Sequence, residues 1–189
     1  SGLTEICAPF ADTNEGTTSF RSLLIPVGGR AESMGCAFTG LSDDVTYLCF
    51  NPAASSVMAN TQISFFHNTW VADSSMETLA ITSRFNNLGL GAMISCFYIP
   101  FTEYDFFGNR ASSGYYTETT AALNISYNIL AGYNFKGIAS GITLKSSFRG
   151  VPDFADNNTG DVIPLSGFSQ SGLAVMADIG FMLRFTFAK

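Results

Sequence analysis

Residues Ala121–Leu130 read AALNISYNIL, and their reading decides the fold. Ala121, Leu123, Ile125, Tyr127 and Ile129 fall on one side of an extended chain, and Ala122, Asn124, Ser126, Asn128 and Leu130 on the other. A period of two with one apolar and one small polar face predicts a β-strand. The pattern recurs on both sides of this stretch. In Leu173–Phe187, Leu173, Val175, Ala177, Ile179, Phe181, Leu183, Phe185 and Phe187 oppose Asp178, Gly180, Arg184 and Thr186. Ile138, Ile142, Leu144 and Phe148 oppose Ala139, Gly141, Thr143, Lys145 and Arg149, and Leu79, Ile81 and Phe85 oppose Thr78, Thr82 and Arg84. Thr61–Val71 and Leu88–Phe101 alternate more weakly, which brings the expectation to about six strands. These segments run to about 10–15 residues, longer than the 5–6 of a soluble strand and enough for the 9–11 that cross a bilayer.

Composition points the same way. Of 189 residues, 47% are hydrophobic and only 13% charged, against about 25% charged in a typical soluble domain. No run approaches the ~18–20 apolar residues of a spanning helix; Leu88–Phe101 and Leu173–Phe187 are broken by Gly, Ser, Asp or Arg. Membrane-like composition without membrane helices leaves the closed barrel, the other structure that satisfies every backbone polar group in lipid. The chain is therefore expected to be all-β, an antiparallel transmembrane β-barrel of the outer membrane. A soluble β-sandwich or lipocalin-like barrel would turn the opposite face to water. That face is mainly Ala, Gly, Ser, Thr and Asn, which suits a lumen better than a solvated surface.

The connections alternate in length. Ala72–Ser75, Asn86–Asn87 and Ala131–Lys136 are short, whereas Thr102–Thr117 and Gly150–Ser171 are long and hold Gly, Asn, Asp and Pro. Short periplasmic turns and long outer loops are the usual asymmetry of outer-membrane barrels. Tyr98, Phe101, Tyr104, Phe106, Phe107, Tyr115, Tyr116 and Tyr133 gather where strands meet loops, as rings at the headgroup level do. Residues 1–60 lack a sustained period and are rich in Gly, Ala, Ser, Asp and Pro, so the chain divides into a 1–60 segment and a 61–189 strand region.

One stretch is more specific. Gly29–Met58 reads GRAESMGCAFTGLSDDVTYLCFNPAASSVM. It resembles the amino-terminal signature of the FadL-like outer-membrane proteins, among them long-chain fatty-acid transporters, aromatic-hydrocarbon channels and PorV-type secretion components. The matching pieces are Gly29-Arg30-Ala31, Gly35-Cys36-Ala37-Phe38, Asp43-Asp44 and Asn51-Pro52-Ala53, in that order. The wording is closest to the uncharacterised treponemal (spirochaete) branch. The resemblance implies a hatch formed by the residues before about 60, with Asn51, Pro52 and Ala53 near its core and Asp43 and Asp44 among its gating residues. Pro52 fixes its own φ and keeps Asn51 out of helical geometry, while Gly28, Gly29, Gly35 and Gly40 permit tight turns. FadL-like members are usually longer, and six strands fall short of the eight in the smallest bacterial barrels. A truncated barrel is the preferred expectation, beside a hatch that adds strands or an oligomeric barrel.

Chemistry of an enzyme is not expected. His67 has no Gly-x-Ser-x-Gly elbow beside it, and a structural or lumen-facing role is the expectation. Adjacent Asp43 and Asp44 point apart on an extended chain, so capping or turn bonding is expected of them. Asp153, Asp156 and Asp161 fit no calcium-loop spacing. Cys7, Cys36, Cys49 and Cys96 contain no CxxC pair; they read as small buried hydrophobes, with a Cys36–Cys49 bridge as the alternative. No cofactor or metal is expected. A net charge of −6 with nine scattered Lys and Arg argues against a phosphate-binding surface, so nucleic acid is not expected as a partner. Any secretory signal is expected to have been removed ahead of Ser1, and Cys7 is not placed to carry an amino-terminal lipid.

Two functions follow. The first is an outer-membrane channel for hydrophobic small molecules such as long-chain fatty acids, captured by Phe106, Phe107, Tyr115 and Tyr116 on the first long loop and released by hatch movement. The second is a non-transporting role, as a PorV-like secretion partner or a surface antigen. Outer-membrane lipid is a partner in either case, and an oligomer or protein partner is expected if the barrel is incomplete. A soluble lipid-binding protein is the third reading.

Overall fold

A computed structural model describes residues 20–71, 73–104, 107–129, 135–150 and 171–185. The strand region forms one antiparallel sheet in sequence order, β1 (Gln62–Thr69), β2 (Ser75–Phe85), β3 (Leu88–Tyr104), β4 (Arg110–Ile129), β5 (Phe135–Gly150) and β6 (Ser171–Phe185). The sheet is open among the described residues, with β1 and β6 at its edges. All six expected strands are present. Their limits differ most where a long loop was expected at Thr102–Thr117. There β3 continues to Tyr104 and β4 starts at Arg110, with Phe101 paired to Gly114 and Thr102 to Ser113. The Thr and Ser residues of this stretch are compatible with strand, and the turn chemistry is confined to the tip, where Gly108 has φ 80°. The Asn86–Asn87 turn joins β2 to β3, with Phe85 paired to Leu88 and Asn86 at φ 54°, a conformation asparagine tolerates. The expected loop at 151–170, with its three aspartates, lies outside the described residues.

Burial runs opposite to that of a soluble sheet. Leu79, Ile81, Leu123, Ile125, Ile142, Leu144, Val175, Ile179, Phe181 and Leu183 are exposed on one face. Thr78, Thr82, Thr120, Asn124, Ser126, Thr143 and Ser147 are buried on the other. What buries them is the chain before β1. Residues 20–58 fold as four short helical turns, Arg21–Leu24, Gly29–Ser33, Val45–Cys49 and Pro52–Val57. The last of these packs across β2 to β6, and the Val45–Cys49 turn across β1 to β3. The core thus lies between this segment and the polar face of the sheet, with Val45, Tyr47, Leu48, Ala53, Ala54, Val57 and Met58 packed on Ala80, Met93, Ala122, Ala139 and Met182.

The outward face is banded. One register row crosses it as His67, Glu77, Cys96 and Thr119, and another as Ile129, Ile138 and Leu183. Between these rows, among the described residues, no outward-facing side chain is charged. Ten residue steps of β4 separate Thr119 from Ile129. That is about 33 Å along the strand, or about 25 Å of height at a tilt of about 40°.

Candidate functional site

The segment that fills the polar face is built by side-chain caps. Asp44 Oδ1 accepts from the Thr46 amide at 2.9 Å and opens the Val45–Cys49 turn. Asn51 Oδ1 accepts from the Ala53 amide at 3.0 Å and opens the Pro52–Val57 turn, with Pro52 where a missing N–H costs least. Asp43 points elsewhere, to the Arg30 guanidinium at 2.9 Å, and Arg30 also lies over the Phe38 ring. The bond from Arg30 holds the Asp43 carboxyl below its usual range, and Asp43 raises Arg30 in turn. Asp43 and Asp44 are therefore not a carboxylate pair; one makes an ion pair and the other caps a turn.

Asn51, Pro52 and Ala53 meet the sheet directly. Asn51 Nδ2 donates to the Thr39 carbonyl at 3.0 Å and the Phe181 carbonyl of β6 at 3.3 Å. On β4, Asn124 Nδ2 donates to the Pro52 carbonyl at 2.9 Å and to Thr143 Oγ1 at 2.8 Å. Its Oδ1 accepts from Ser55 Oγ at 2.5 Å. Ser126 Oγ lies 2.6 Å from Ser55 Oγ and accepts from the Ser56 amide at 2.7 Å. Arg184 and Arg84 donate to the carbonyls of Val57 and Met58. Glycines make the approach close enough for these bonds. A Cβ at Gly89 would overlap the Ser55–Ser56 peptide, one at Gly141 the Pro52 carbonyl, and one at Gly180 Asn51 and Pro52. The wall partners Asn124, Ser126 and Thr143 were visible in the sequence only as members of a small polar face. Nothing in the chain's order signals that their partners lie in residues 52–56.

Beside this docked stretch, the Arg21–Val27 segment roofs a cavity of about 430 Å³. Its lining is largely apolar, with Lys145 and Asp178 paired at 2.5 Å on the sheet side. The roof is tied to β4 where the Ser22 amide donates to Glu118 Oε2 at 2.9 Å, and Tyr116 bonds the other Glu118 oxygen. Size and lining are those of a small-molecule site, a mostly apolar pocket with few polar groups.

The residues of the expected capture surface lie in different places. Phe106 lies outside the described residues and Phe107 is exposed at the hairpin tip. Tyr115 and Tyr116 are strand residues, not loop residues, and alternation sends them to opposite faces. Tyr115 stacks edge-on with Tyr98 at 6.4 Å on the outward face, while Tyr116 faces Glu118. His67 faces outward with Ile63 and Phe65, bonded to Glu77 at 2.6 Å; it does not face the polar interior. Cys36, Cys49 and Cys96 are free thiols, so Cys36 and Cys49 form no bridge, and Cys36 and Cys96 are exposed rather than buried. Burial pushes the Cys49 thiol up to about 11.

The family model of an uncharacterised protein family, UPF0164, matches residues 6–189. The chain belongs to the UPF0164 family. One UPF0164 protein of Treponema pallidum (strain Nichols) is 30% identical over 182 residues, covering 92% of this chain and 39% of the relative. A second from the same organism is 28% identical, covering 100% of this chain and 37% of the relative. This chain thus spans under two fifths of the length of these UPF0164 proteins. The treponemal part of the sequence resemblance is confirmed by these matches. No solved structure matches the chain.

Proposed function

We propose that this UPF0164 chain is part of an outer-membrane β-barrel of FadL type, with residues 20–58 as its hatch, and that the whole protein passes hydrophobic small molecules such as long-chain fatty acids. One observation carries the membrane reading: the sheet buries its polar face and exposes its apolar one. A soluble protein with this sheet would expose a contiguous apolar area far beyond the usual few hundred Å². In lipid the same face is correctly placed, and its uncharged band of about 25 Å matches the apolar belt of outer-membrane barrels. Tyr98 and Tyr115 lie beyond one margin of the band and Phe185 beyond the other, as interfacial rings do.

The hatch reading is supported by residues 43–58, which bond to β1, β2, β3, β4 and β6 and pack against β5 through Pro52–Val57. The apolar cavity roofed by Arg21–Val27 supports a hydrophobic cargo. The proposed passage needs no chemistry on the cargo. Uptake of labelled fatty acid into liposomes holding the full-length protein tests the transport reading; uptake equal to that of empty liposomes rejects it. The fastening of Pro52–Val57 to Asn124 and Ser126 favours a second reading, a structural or secretion-partner barrel whose hatch stays shut. A protein partner recovered by crosslinking in cells, with no uptake, selects that reading.

A further inference from the structure

Five sulfur side chains line the cavity under Arg21–Val27: Cys36, Cys49, Met76, Met93 and Met176. Cys49 Sγ points at Met93 Sδ, 3.7 Å away. Cys49 also packs against the cluster that contains Met76, as well as the one that contains Met93. Leucine would line an apolar cavity as well as methionine does, without adding a polarisable donor atom. We propose that this cavity binds one Cu(I) ion, held by the Cys49 thiolate and the Met93 thioether, with Met76 or Met176 as a third sulfur.

The choice of metal follows from the donors. Thiolate and thioether sulfur together select Cu(I) among biological cations, whereas hard cations need oxygen. The one carboxylate lining the cavity, Asp178, is engaged by Lys145 at 2.5 Å. Zinc takes thiolate, imidazole and carboxylate ligands, and the chain's single histidine, His67, is on the far side of the sheet. Among the described residues no three His, Cys, Asp or Glu side chains come together, so the site depends on its thioethers. On binding, the Cys49 S–H bond breaks, the S–Cu bond forms and the proton leaves to solvent. The copper enters and stays as Cu(I), and no electron moves. This inference does not rest on the transport reading, but it assigns a metal ion to the cavity that reading gives to a hydrophobic cargo, and Cu(I) titration and fatty-acid uptake test the two separately.

The test uses the refolded chain in detergent, without oxygen, with Cys7, Cys36 and Cys96 replaced by Ser to remove competing thiols. Cu(I) is titrated against a chromophoric Cu(I) chelator. One equivalent should bind, unaffected by excess Zn(II), and X-ray absorption should report sulfur-only coordination. Cys49→Ser should weaken binding by about 100-fold or more and the volume-conserving Met93→Leu by about 10-fold. Circular dichroism and gel migration of each variant confirm that it folds. No uptake of Cu(I) by the triple-Ser protein, or equal binding by folded Cys49→Ser or Met93→Leu, overturns the proposal.

Discussion

Replacing Asn124 by Asp changes one nitrogen to oxygen and should undock the 43–58 segment. Asn124 is 4% exposed and spends its amide in two directions. Nδ2 donates to Pro52 and Thr143, and Oδ1 accepts from Ser55. Asn124→Ala removes three short bonds at about 1 kcal/mol net each, so about 3 kcal/mol. Two of the three cross to the docked segment, so about 2 kcal/mol of that loss falls on docking itself. Asn124→Asp keeps the Ser55 bond and the volume. It also aims a second oxygen at the Pro52 carbonyl and places a charge where no cation is bonded to Asn124. Leaving a buried charge unpaired costs about 3–5 kcal/mol, so the near-isosteric change should be the more damaging one. A packing account predicts the reverse order, because alanine alone leaves a void.

Limited proteolysis reads docking, since residues 51–58 are all buried and are cut only when they leave the sheet. At about 2 kcal/mol the undocked population, and with it the cleavage rate, rises roughly 30-fold for Asn124→Ala. Asn124→Asp should be faster still, and a thermal scan followed by gel migration should rank the variants alike. Wild-type protease resistance for Asn124→Asp, or greater resistance than Asn124→Ala, refutes the assignment of Asn124 as the fastening residue.

Gly89→Ala and Gly141→Ala should each release the same segment, because the added Cβ meets backbone rather than a movable side chain. Gly172→Ala is the control, with only the Arg149 guanidinium nearby at 3.8 Å; equal protease sensitivity of all three would sink the close-approach argument. Leu123→Arg, in mid-band, should cost about 2–4 kcal/mol in lipid vesicles and Thr119→Arg, at the band's margin, about 0–1. Equal costs measured by denaturant titration in vesicles would remove the lipid-facing reading. With its pKa raised to about 11, Cys49 is about one part in a thousand thiolate at pH 8. Mass-spectrometric mapping after a short maleimide pulse should therefore find Cys36 labelled and Cys49 labelled only after denaturation, and comparable rates would contradict the docked arrangement.

The sheet was legible in the sequence because its signal is local. Alternation in Ala121–Ile129 and Leu173–Phe185 needs no knowledge of what each face meets. The outward place of His67 was legible too, since it shares parity with Ile63 and Phe65, yet a lumen-facing place was left open for it. The Thr102–Thr117 stretch misled because Asp105, Gly108 and Asn109 at its middle stood for the whole of it, although Tyr115 to Thr117 already continue the strand. The docking contacts are long-range: Pro52 and Asn124 are 72 positions apart, and Ser22 and Glu118 are 96. A serine that caps nothing and an asparagine on a polar face look alike until the two are brought together. The sulfur lining is dispersed for the same reason, with Met76, Met93 and Met176 on three different strands.

The edges of the sheet constrain the membrane reading more tightly than its faces do. Along an edge strand alternate residues turn both N–H and C=O away from the sheet. The fifteen residues of β6 therefore present about fourteen outward backbone groups, and the eight of β1 about eight. At several kcal/mol for each group left unsatisfied in hydrocarbon, the total is many tens of kcal/mol. Stability of a folded domain is only about 5–15 kcal/mol, so no gain from the docked 43–58 segment offsets open edges in lipid. If the proposed location is right, β1 and β6 must pair with further strands there. The UPF0164 relatives, of which this chain covers 39% and 37%, have length for such strands. A second copy joined β1 to β6 in both places would give twelve strands, an even number within the bacterial range. Cysteine pairs placed across β1 and β6 of a cysteine-free chain distinguish the two closures. Crosslinked dimer in vesicles requires the two-copy barrel; monomer alone requires closure by strands of a longer chain.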